Sequence, residues 1–380
     1  MKQKKSSFPL WLVIPIILAA LLIQAGPVAG ATITSRSWKV VPTRNVATIN
    51  NALNGVSAIS SSNAWAVGYS WNNNTNTSQT LIEHWNGTRW NIVPSPNPNP
   101  TSNRLNAVTA LSATNVWAVG SAIEHWNGTK WAVVANPDPG ANLFAVAASS
   151  GKDIWAVGAD ANGTVTEHWN GTAWSVAPSP TPAGSLDTLW GVTVVSATDV
   201  WAVGDYFISF DPPHNVTLVL HWNGIQWTVV PSPSPTNSFN VLHSVGAVSS
   251  KDVWAVGNMS RSNDPNTNRT MIQHWNGTKW SVVSSPNHSI YNNALLSVTV
   301  ISATNIWAVG SYSNGTPSNQ TLTEQWNGTK WRVAASPNGG TDVNTLLSVA
   351  GVPCTQNVWA VGDYFDTSIN LWKTLAEYYS

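Results

Sequence analysis

Trp117-Ala118-Val119-Gly120 is one of seven copies of the sequence Trp-Ala-Val-Gly, and this repeated stretch decides the fold. The tryptophans of the copies stand at positions 65, 117, 155, 201, 254, 307 and 359, so successive copies are 52, 38, 46, 53, 53 and 52 residues apart. A period near 50 residues made of short apolar segments is typical of β-propeller blades and not of helical solenoids. Each copy predicts a strand with Trp117 and Val119 on one face and Ala118 on the other, closed by a glycine. We therefore predict an all-β fold, a seven-bladed β-propeller.

Two further segments recur with the same period and complete the predicted blade. Trp-Asn-Gly occurs six times, and a short apolar segment that begins with tryptophan occurs seven times. Within one unit these segments predict four antiparallel strands, at 105–111, 116–120, 123–126 and 130–134. Asn127-Gly128, between the last two strands, predicts a two-residue type I′ turn in which both residues have positive φ.

The two ends of the chain are incomplete in complementary ways. The segment 37–42 matches the fourth strand of a blade but has no earlier strands before it, whereas the last unit stops after three strands. We therefore predict that the N-terminal strand, 36–42, pairs beside strand 375–379 and completes the C-terminal blade. Such closure removes the two exposed sheet edges that an open array presents to other chains.

The first 31 residues have the pattern of a signal peptide. Lys2, Lys4 and Lys5 precede an apolar run at 10–23, and the small residues 29–31 follow at the spacing of a cleavage site. The run is shorter than the about 20 residues of a membrane-spanning helix, although an uncleaved anchor stays open as an alternative. We predict a signal peptide at 1–31, a single propeller domain at 32–380, a secreted or cell-surface location, and no other contact with a membrane.

The composition argues against several classes of partner. Charged residues make up 9% of the chain, and 17 Lys and Arg balance 17 Asp and Glu. A surface this neutral provides no basic stripe, which argues against a nucleic-acid partner. Cys354 is the only cysteine, so the chain forms no internal disulfide. No pattern in the sequence indicates a cofactor, and we expect a monomer.

The repeats resemble those of kelch-type and tectonin-type β-propellers, and more closely those of secreted bacterial proteins built from Trp-Ala-Val-Gly and His-Trp-Asn-Gly-Thr. The resemblance covers residues 36–380 and implies a propeller fold. Tectonin propellers bind sugars and other surface ligands, but no binding residue of that family matches a position of this sequence. Kelch blades carry a Gly-Gly pair after a strand, whereas Gly339-Gly340 lies in a predicted linker.

Five histidines precede Trp-Asn-Gly, and three of them follow a glutamate. Histidine beside a carboxylate is compatible with a metal site or with acid and base catalysis. Adjacent residues of a strand point to opposite faces, however, and the copies lie on different blades, so their side chains do not converge. We therefore interpret them as packing residues, with His84 across the hairpin from Arg89 and Glu83 beside Trp90. The sequence predicts no metal site.

Asp205-Tyr206-Phe207 and Asp363-Tyr364-Phe365 follow two copies of the central strand. Two carboxylates that face one another across a pocket can act as an acid and a base on a glycan. This arrangement is the basis of an alternative function, an extracellular propeller hydrolase or lyase that acts on polysaccharide. An aspartate that caps a strand end beside a packed tyrosine is the simpler interpretation. We therefore predict no catalytic residue and a protein that is not an enzyme.

The connections between second and third strands vary most in length, from 121–122 to 205–217 and 258–270. In an antiparallel blade they share one end of the ring with the linkers between blades, and variable loops on a rigid ring are a common binding surface. Aromatic residues outside the repeat lie there and suit the apolar faces of sugar rings. The predicted ligand-binding residues are Tyr69, Trp71, Asp205, Tyr206, Tyr312, Asp363, Tyr364 and Trp372. The sequence thus favours a secreted, non-catalytic binding or adhesion module that presents this face to an extracellular glycan or protein ligand.

Overall fold

The computed structural model describes Met1 and residues 35–380, with the exception of 185, 211–212, 262–263 and 317. The predicted signal peptide and its cleavage site, 1–31, lie outside the described residues apart from Met1. Residues Arg36–Ser380 cluster by their contacts into a single unit. Every regular secondary-structure element in the described part of this unit is a β-strand.

The strands form seven sheets of four, which we number as blades 1–7 in chain order. The first strand of the described residues is β1 (Trp38–Val40). Blades 1–3 follow as β2 (Asn50–Ser60), β3 (Asn63–Asn72), β4 (Thr77–Trp85), β5 (Trp90–Ile92); β6 (Leu105–Ser112), β7 (Asn115–Gly120), β8 (Ile123–Trp126), β9 (Trp131–Val134); and β10 (Asn142–Ser150), β11 (Asp153–Asp160), β12 (Gly163–Trp169), β13 (Trp174–Val176). Blades 4 and 5 are β14 (Thr188–Ser196), β15 (Asp199–Phe210), β16 (Pro213–Trp222), β17 (Trp227–Val229); and β18 (Asn240–Ser249), β19 (Asp252–Arg261), β20 (Asp264–Trp275), β21 (Trp280–Val283). Blade 6 is β22 (Asn293–Ser302), β23 (Asn305–Ser313), β24 (Asn319–Trp326), β25 (Trp331–Ala334), and blade 7 contains β26 (Asn344–Gly351), β27 (Val358–Asp366) and β28 (Leu371–Tyr379).

Strand β1 completes the last blade, which confirms the predicted closure. Blade 7 has the strand order β1-β28-β27-β26. Strand β1 pairs antiparallel with β28, so that Trp38 lies opposite Tyr379 and Val40 lies opposite Glu377. Each other blade is a meander of four consecutive strands. The chain is therefore a closed seven-bladed β-propeller in which the N-terminal and C-terminal strands share one sheet.

The core consists of seven apolar clusters, one at each interface between neighbouring blades. Trp65 and Val67 pack toward blade 2, whereas Ala64 and Ala66 pack toward blade 7, because successive side chains of a strand point to opposite faces. All seven tryptophans of the Trp-Ala-Val-Gly strands are at most 3% exposed. Their burial confirms that these strands are the framework of the ring.

Each framework tryptophan also contacts two aromatic residues of the next blade, which are two tryptophans in six cases and Trp38 with Tyr379 in the case of Trp307. The ring centroid of Trp65 lies 5.0 Å from that of Trp126 and 5.5 Å from that of Trp131. Trp359 of blade 7 packs on blade 1 in the same way. Aromatic pairs at this spacing stabilise an interface beyond the apolar area that they bury, so the same contact joins all seven blades into a ring.

The glycine of the repeated motif is required by a close approach of the neighbouring strand. A Cβ on Gly68 would lie 2.0 Å from the carbonyl oxygen of Ala52. The two strands come this close because β2 has a bulge between Leu53 and Gly55. The other six motif glycines make the same approach to the first strand of their own blades, with distances of 1.8 to 2.1 Å.

The hairpin between third and fourth strands is not the predicted two-residue turn. Trp85 pairs directly with Trp90, which leaves a four-residue loop. Gly87 has a φ of 93°, whereas Asn86 keeps an ordinary negative φ. The Asn86 side chain forms the turn instead, because its Oδ1 accepts a hydrogen bond from the backbone N–H of Arg89 at 3.1 Å. The type I′ prediction was wrong because it treated this asparagine as a backbone element only.

The two ends of the ring have different connections. The turns between first and second strands lie beside the hairpins between third and fourth strands, since Trp85 Nε1–H donates to the carbonyl oxygen of Ser61 at 3.0 Å. We call this end the turn face. The connections between second and third strands and the linkers between blades occupy the opposite end, which we call the loop face.

Two stretches of the loop face that were expected as long loops are extended hairpins. In blade 4, β15 and β16 remain paired beyond the ring through Tyr206 with Val216 and Phe207 with Asn215. Blade 5 extends in the same way, with Asn258 opposite Thr270. In blade 4 the aromatic and β-branched residues Tyr206, Phe207 and Val216 favour strand, which explains why the ladder continues there.

Candidate ligand-binding site

A cavity of about 350 Å³ opens on the loop face where blade 7 meets blade 1. It combines aromatic rings, amides, one carboxyl group and one guanidinium group. The residues that line it are Asn50, Asn51, Ala52, Tyr69, Trp71, Asn73, Arg104, Asp363 and Trp372. Four of the eight predicted site residues therefore come together in one place: Tyr69, Trp71, Asp363 and Trp372.

Strand geometry positions the aromatic walls of the cavity. Tyr69 and Trp71 are two residues apart on β3, so their side chains project from the same face of the sheet. Trp372 stands on β28, where its backbone N–H donates to Asn50 Oδ1 at 3.0 Å. Its ring packs edge to face on Phe365, the residue opposite it on β27, with centroids 5.4 Å apart. Blade 7 thus fixes one aromatic wall and blade 1 the other.

Arg104 is the cation of this cavity, and sequence reasoning missed it. Its guanidinium carbon lies 4.4 Å from the ring centroid of Tyr69 and 5.1 Å from that of Trp71. Its backbone is held by Ser121, which accepts the Arg104 N–H at Oγ (3.0 Å) and donates its own N–H to the Arg104 carbonyl (2.9 Å). The guanidinium Nε is buried and has no hydrogen-bond partner among the described residues.

The ionisable groups of the cavity are perturbed by burial. Asp363 is half-buried, and this burial raises the pKa of its carboxyl group to about 7. The pKa of Tyr69 is also raised, mainly by burial; the nearby charge of Arg104 opposes the shift and that of Asp363 adds to it. Near neutral pH the Asp363 carboxyl therefore exists in both its neutral and its charged forms, while Arg104 stays positively charged.

Asp205 does not share this cavity with Asp363. It is 6% exposed in blade 4, where Trp190 Nε1–H donates to Asp205 Oδ1 at 2.7 Å and Asn215 donates to Oδ2. Burial raises the pKa of Asp205. The two carboxyl groups occupy equivalent positions of different blades and contact different partners. They do not form the facing acid and base pair of the alternative hydrolase interpretation.

The remaining predicted tyrosines pack under the loops. Tyr206, Tyr312 and Tyr364 stand two residues after the motif glycine, one residue further than Tyr69, so they project from the opposite face of the strand. They border the apolar clusters between their own blade and the preceding one. A Cβ on Gly339 would lie 2.6 Å from the ring of Tyr364, so this linker glycine makes room for that ring. These three tyrosines therefore lie outside the loop-face cavity, although they stand at the same end of the ring as Tyr69.

A second group of residues outside the repeat lines the central channel. The bulge in each first strand turns one side chain toward the axis, and these side chains border a cavity of about 130 Å³. They are Asn54, Asn106, Phe144, Trp190, His243, Leu296 and Leu347. Trp190 packs on Phe144 with centroids 4.5 Å apart. Burial lowers the pKa of His243, whose Nε2–H donates to Asn258 Oδ1 at 2.8 Å.

The histidines of the repeat have structural partners at the turn face. His84 Nε2–H donates to Asn63 Oδ1 at 2.9 Å, and the His84 ring packs on Trp65 with centroids 4.3 Å apart. Across the hairpin His84 lies opposite Asn91 and not opposite Arg89, because the connecting loop has four residues. The same histidine contact, at 2.8 Å, recurs with an aspartate in blades 3, 4 and 5, as His168 with Asp153, His221 with Asp199 and His274 with Asp252.

The glutamates beside these histidines are completely buried between blades. Glu83 Oε2 accepts the backbone N–H of Arg44 at 3.0 Å, and burial raises the pKa of this carboxyl group to about 8. Equivalent carboxyl groups with 0% exposure occur at 124, 167, 324 and 377. Glu83 and Trp85 share one face of β4. Trp85 borders an apolar cluster. The position of each glutamate two residues before such an aromatic residue was therefore the sequence signal that the glutamate is buried.

The turn face carries a wide depression of about 680 Å³ beside blade 7. It is bordered by Arg36, by 299–301 and by the turn 351–357, and none of these lining residues is aromatic. Cys354 is exposed there at a φ of 60°. The depression therefore lacks the aromatic walls of the loop-face cavity.

Among the described residues, no three His, Cys, Asp or Glu side chains lie close enough together to hold a metal ion. Over the same part of the chain, no helix has the length and apolar character that a membrane crossing requires.

No protein-family model matches the chain, and no curated protein sequence matches it. Solved structures show the same fold. YCF48 bound to D1 peptide is 14% identical with a TM-score of 0.56, over 92% of this chain and 97% of that one. The structure of U3-55K is 10% identical with a TM-score of 0.58, over 90% and 98%. A polysaccharide lyase, ulvan lyase, with a bound saccharide of GlcA and Rha3S, is 11% identical with a TM-score of 0.53, over 86% and 93%.

Proposed function

We propose that the protein is a non-catalytic binding module, secreted or held at the cell surface, that takes a glycan into the loop-face cavity. The observation that carries the proposal is the convergence of Tyr69, Trp71 and Trp372 with polar side chains around one opening of about 350 Å³. Pockets for small ligands measure roughly 300 to 1,000 Å³, so this cavity is large enough for a sugar ring.

The chemistry of the walls suits a sugar. Aromatic rings provide flat apolar area for the C–H faces of a pyranose, and amide or carboxyl groups accept and donate hydrogen bonds to its hydroxyl groups. Trp71 and Trp372 supply the first kind of contact. Asn50, Asn73 and Asp363 supply the second.

The propeller also holds the cavity in place before a ligand arrives. Tyr69, Trp71 and Trp372 stand on strands of blades 1 and 7, and those blades share an apolar cluster. A site that is already ordered loses less side-chain entropy on binding than a mobile loop does. Among the similar folds, YCF48 has a bound peptide and ulvan lyase has a bound saccharide. Both support a ligand-binding use of such a ring, and the aromatic walls favour the saccharide.

The proposal is tested on the secreted full-length chain with a glycan array followed by calorimetric titration. Replacing Trp71 and Trp372 together by alanine should abolish binding of the best ligand while the melting temperature stays within a few degrees. Phe239→Ala is the matched control, because this aromatic residue precedes β18 and is 38% exposed away from the cavity. Retained binding in the double variant would show that the site lies elsewhere.

The same ligand decides between binding and catalysis. Incubation with the protein should leave the chain length of the glycan unchanged and produce no unsaturated sugar, measured by chromatography and ultraviolet absorbance. Turnover that disappears with Asp363→Asn or Tyr69→Phe would instead establish the hydrolase or lyase alternative. If the protein binds a peptide and no glycan, the ligand of the cavity is a protein partner and not a glycan.

A further inference from the structure

The loop-face cavity contains a positive charge that no side chain neutralises. Four ion pairs are found among the described residues, and none of them involves Arg104. Asp363 lines the same cavity without coming within ion-pair distance of this guanidinium. The Nε of Arg104 is buried and unpaired in the described structure. A buried polar group without a partner is costly, and no carboxylate of the described residues offsets the charge of this guanidinium.

The position of Arg104 is fixed rather than adaptable. Its guanidinium group lies over Tyr69 at 4.4 Å and near Trp71 at 5.1 Å, distances at which a cation is attracted to an aromatic face. The two backbone hydrogen bonds to Ser121 hold the residue at the entry to blade 2. A planar guanidinium held in one orientation presents a fork of donors that matches a carboxylate with two parallel hydrogen bonds.

We infer that the cavity binds an acidic sugar, a uronic acid residue of an acidic polysaccharide, whose carboxylate pairs with Arg104 while its ring packs on Trp71 or Trp372. This inference rests on the proposed glycan-binding function and names the class of glycan. A uronic acid combines a hydroxylated ring with one carboxylate, and the cavity combines aromatic and amide groups with one unpaired guanidinium group. An acidic peptide would use Arg104 equally well, but aspartate and glutamate side chains have no ring with a flat C–H face to pack on Trp71 or Trp372.

Asp363 does not contradict an anionic ligand. Its burial raises the pKa of the carboxyl group to about 7, so below that pH the group is neutral and can donate a hydrogen bond to a sugar oxygen. Tyr69 stays protonated over the same range because its pKa is raised as well. The fixed charge that the ligand meets in the cavity is then the single positive charge of Arg104.

The experiment compares ligands that differ only in charge. Oligomers of galacturonate, glucuronate and mannuronate are titrated calorimetrically into the full-length chain, each beside its methyl ester, and an oligo-glutamate of similar length is included. At least one acid form should bind about tenfold or more tightly than its ester, as expected for a hydrogen-bonded charge pair. Arg104→Gln should remove this preference, so that the acid form binds no more tightly than its ester, and Arg104→Lys should restore part of the preference.

Lys373→Gln is the matched control for the loss of one positive charge. Lys373 lies on the same face of the ring, beside Trp372, but its Nζ pairs with Asp366 at 3.0 Å and it does not line the cavity. This variant should keep the preference for the acid form. A preference that falls equally in both variants would reduce the effect to general electrostatic attraction and overturn the role of Arg104.

The remaining outcomes distinguish failure of this inference from failure of the proposed glycan-binding function. Equal binding of acid and ester by the unmodified protein would overturn the acidic sugar and leave the glycan-binding function standing. Binding of oligo-glutamate as tightly as the best uronate would overturn the sugar and favour an acidic peptide. Failure of every sugar, acidic or esterified, when the array is also negative, would overturn both.

Discussion

Trp38 and Trp307 meet edge to face, with ring centroids 5.3 Å apart and ring planes at 88°. Trp38 comes from the first strand of the described chain and Trp307 from the framework strand of blade 6. Trp38 thereby occupies in blade 7 the place that Trp131 occupies in blade 2, against the framework tryptophan of the preceding blade. The strand that closes the ring is therefore part of the core and not a surface tie.

The first prediction concerns this closing strand. Trp38 is 5% exposed, so Trp38→Ala should lower the free energy of unfolding by about 3–5 kcal/mol, as truncation of a buried aromatic residue does. Denaturant unfolding followed by tryptophan fluorescence measures the change. Lys39→Ala on the exposed side of the same strand is the control and should change stability by less than about 0.5 kcal/mol. Equal effects of the two substitutions would contradict a core role for β1.

The second prediction concerns the motif glycine. A Cβ at Gly68 would lie 2.0 Å from the Ala52 carbonyl oxygen, which is backbone and cannot move aside cheaply. Gly68→Ala should therefore prevent folding or lower the free energy of unfolding by about 4 kcal/mol or more, with a clear fall in the melting temperature. Gly140→Ala is the comparison, since the only neighbour of its added Cβ within contact range is a side-chain oxygen at 3.4 Å. A soluble Gly68→Ala protein with an unchanged melt would show that β2 can release its bulge.

Much of this framework could be predicted from the sequence because it repeats. The blade number, the burial of Trp254 and the closure by β1 each follow from counting equivalent segments. The hairpin at Asn127-Gly128 could not be obtained in this way. The choice between a two-residue turn and a four-residue turn depends on the hydrogen bonds of one asparagine side chain, such as that from the N–H of Lys130 to Asn127 Oδ1 at 3.1 Å.

The candidate site was only partly predictable. It depends on which face of its strand each side chain points to, and on residues that neighbouring blades contribute. Tyr69 and Tyr206 both follow a motif glycine closely, yet one residue of difference places Tyr69 at the cavity and Tyr206 against the apolar cluster between blades 3 and 4. Arg104 belongs to no repeat and stands at the end of a linker, so no pattern singles it out. Only the contact between the blades brings it over Tyr69.

The third prediction concerns the buried carboxyl groups between blades. Burial raises the pKa of Glu124 and Glu167 to about 8 and that of Glu377 to about 9. The unfolded chain releases these protons near pH 4.3, so the folded state holds more protons between about pH 4.3 and 8. The free energy of unfolding should therefore fall as pH rises through this range, by up to about 1.4 kcal/mol per pH unit for each carboxyl group. Thermal melts at pH 5 and pH 8 measure the difference.

Blade 5 supplies the comparison for this pH dependence. It has Gln273 at the equivalent position, and Gln273 Nε2–H donates to the carbonyl oxygen of Pro233 at 2.8 Å. Glu124→Gln and Glu377→Gln should raise the melting temperature at pH 8 and flatten its pH dependence, since an amide does not titrate. Asp342→Asn, in a partly exposed linker, should leave the wild-type slope in place. If the pH dependence of the melting temperature is unchanged in the glutamate variants, groups other than these carboxyl groups cause it.

The last prediction concerns Asp363 and the pH at which the cavity binds an acidic sugar. The pKa of Asp363 is about 7, whereas a sugar carboxylate ionises near the value of an α-carboxyl group, about 3.5, and stays charged throughout. As pH rises from about 6 to about 8, Asp363 gains a negative charge beside the bound carboxylate and loses its hydrogen-bond donor. The dissociation constant for the best uronate oligomer should therefore increase about tenfold across this range, while Tyr69 and Arg104 keep their charge states. Calorimetric titration at intervals of half a pH unit measures the profile.

Asp363→Asn keeps a donor and cannot ionise, so it should bind at pH 8 as tightly as the unmodified protein does at pH 6. Asp205→Asn, which alters a carboxyl group outside the cavity, should preserve the pH dependence. If the profile survives in Asp363→Asn and is lost in Asp205→Asn, the ligand binds beside Trp190 at the central channel and not beside Trp372.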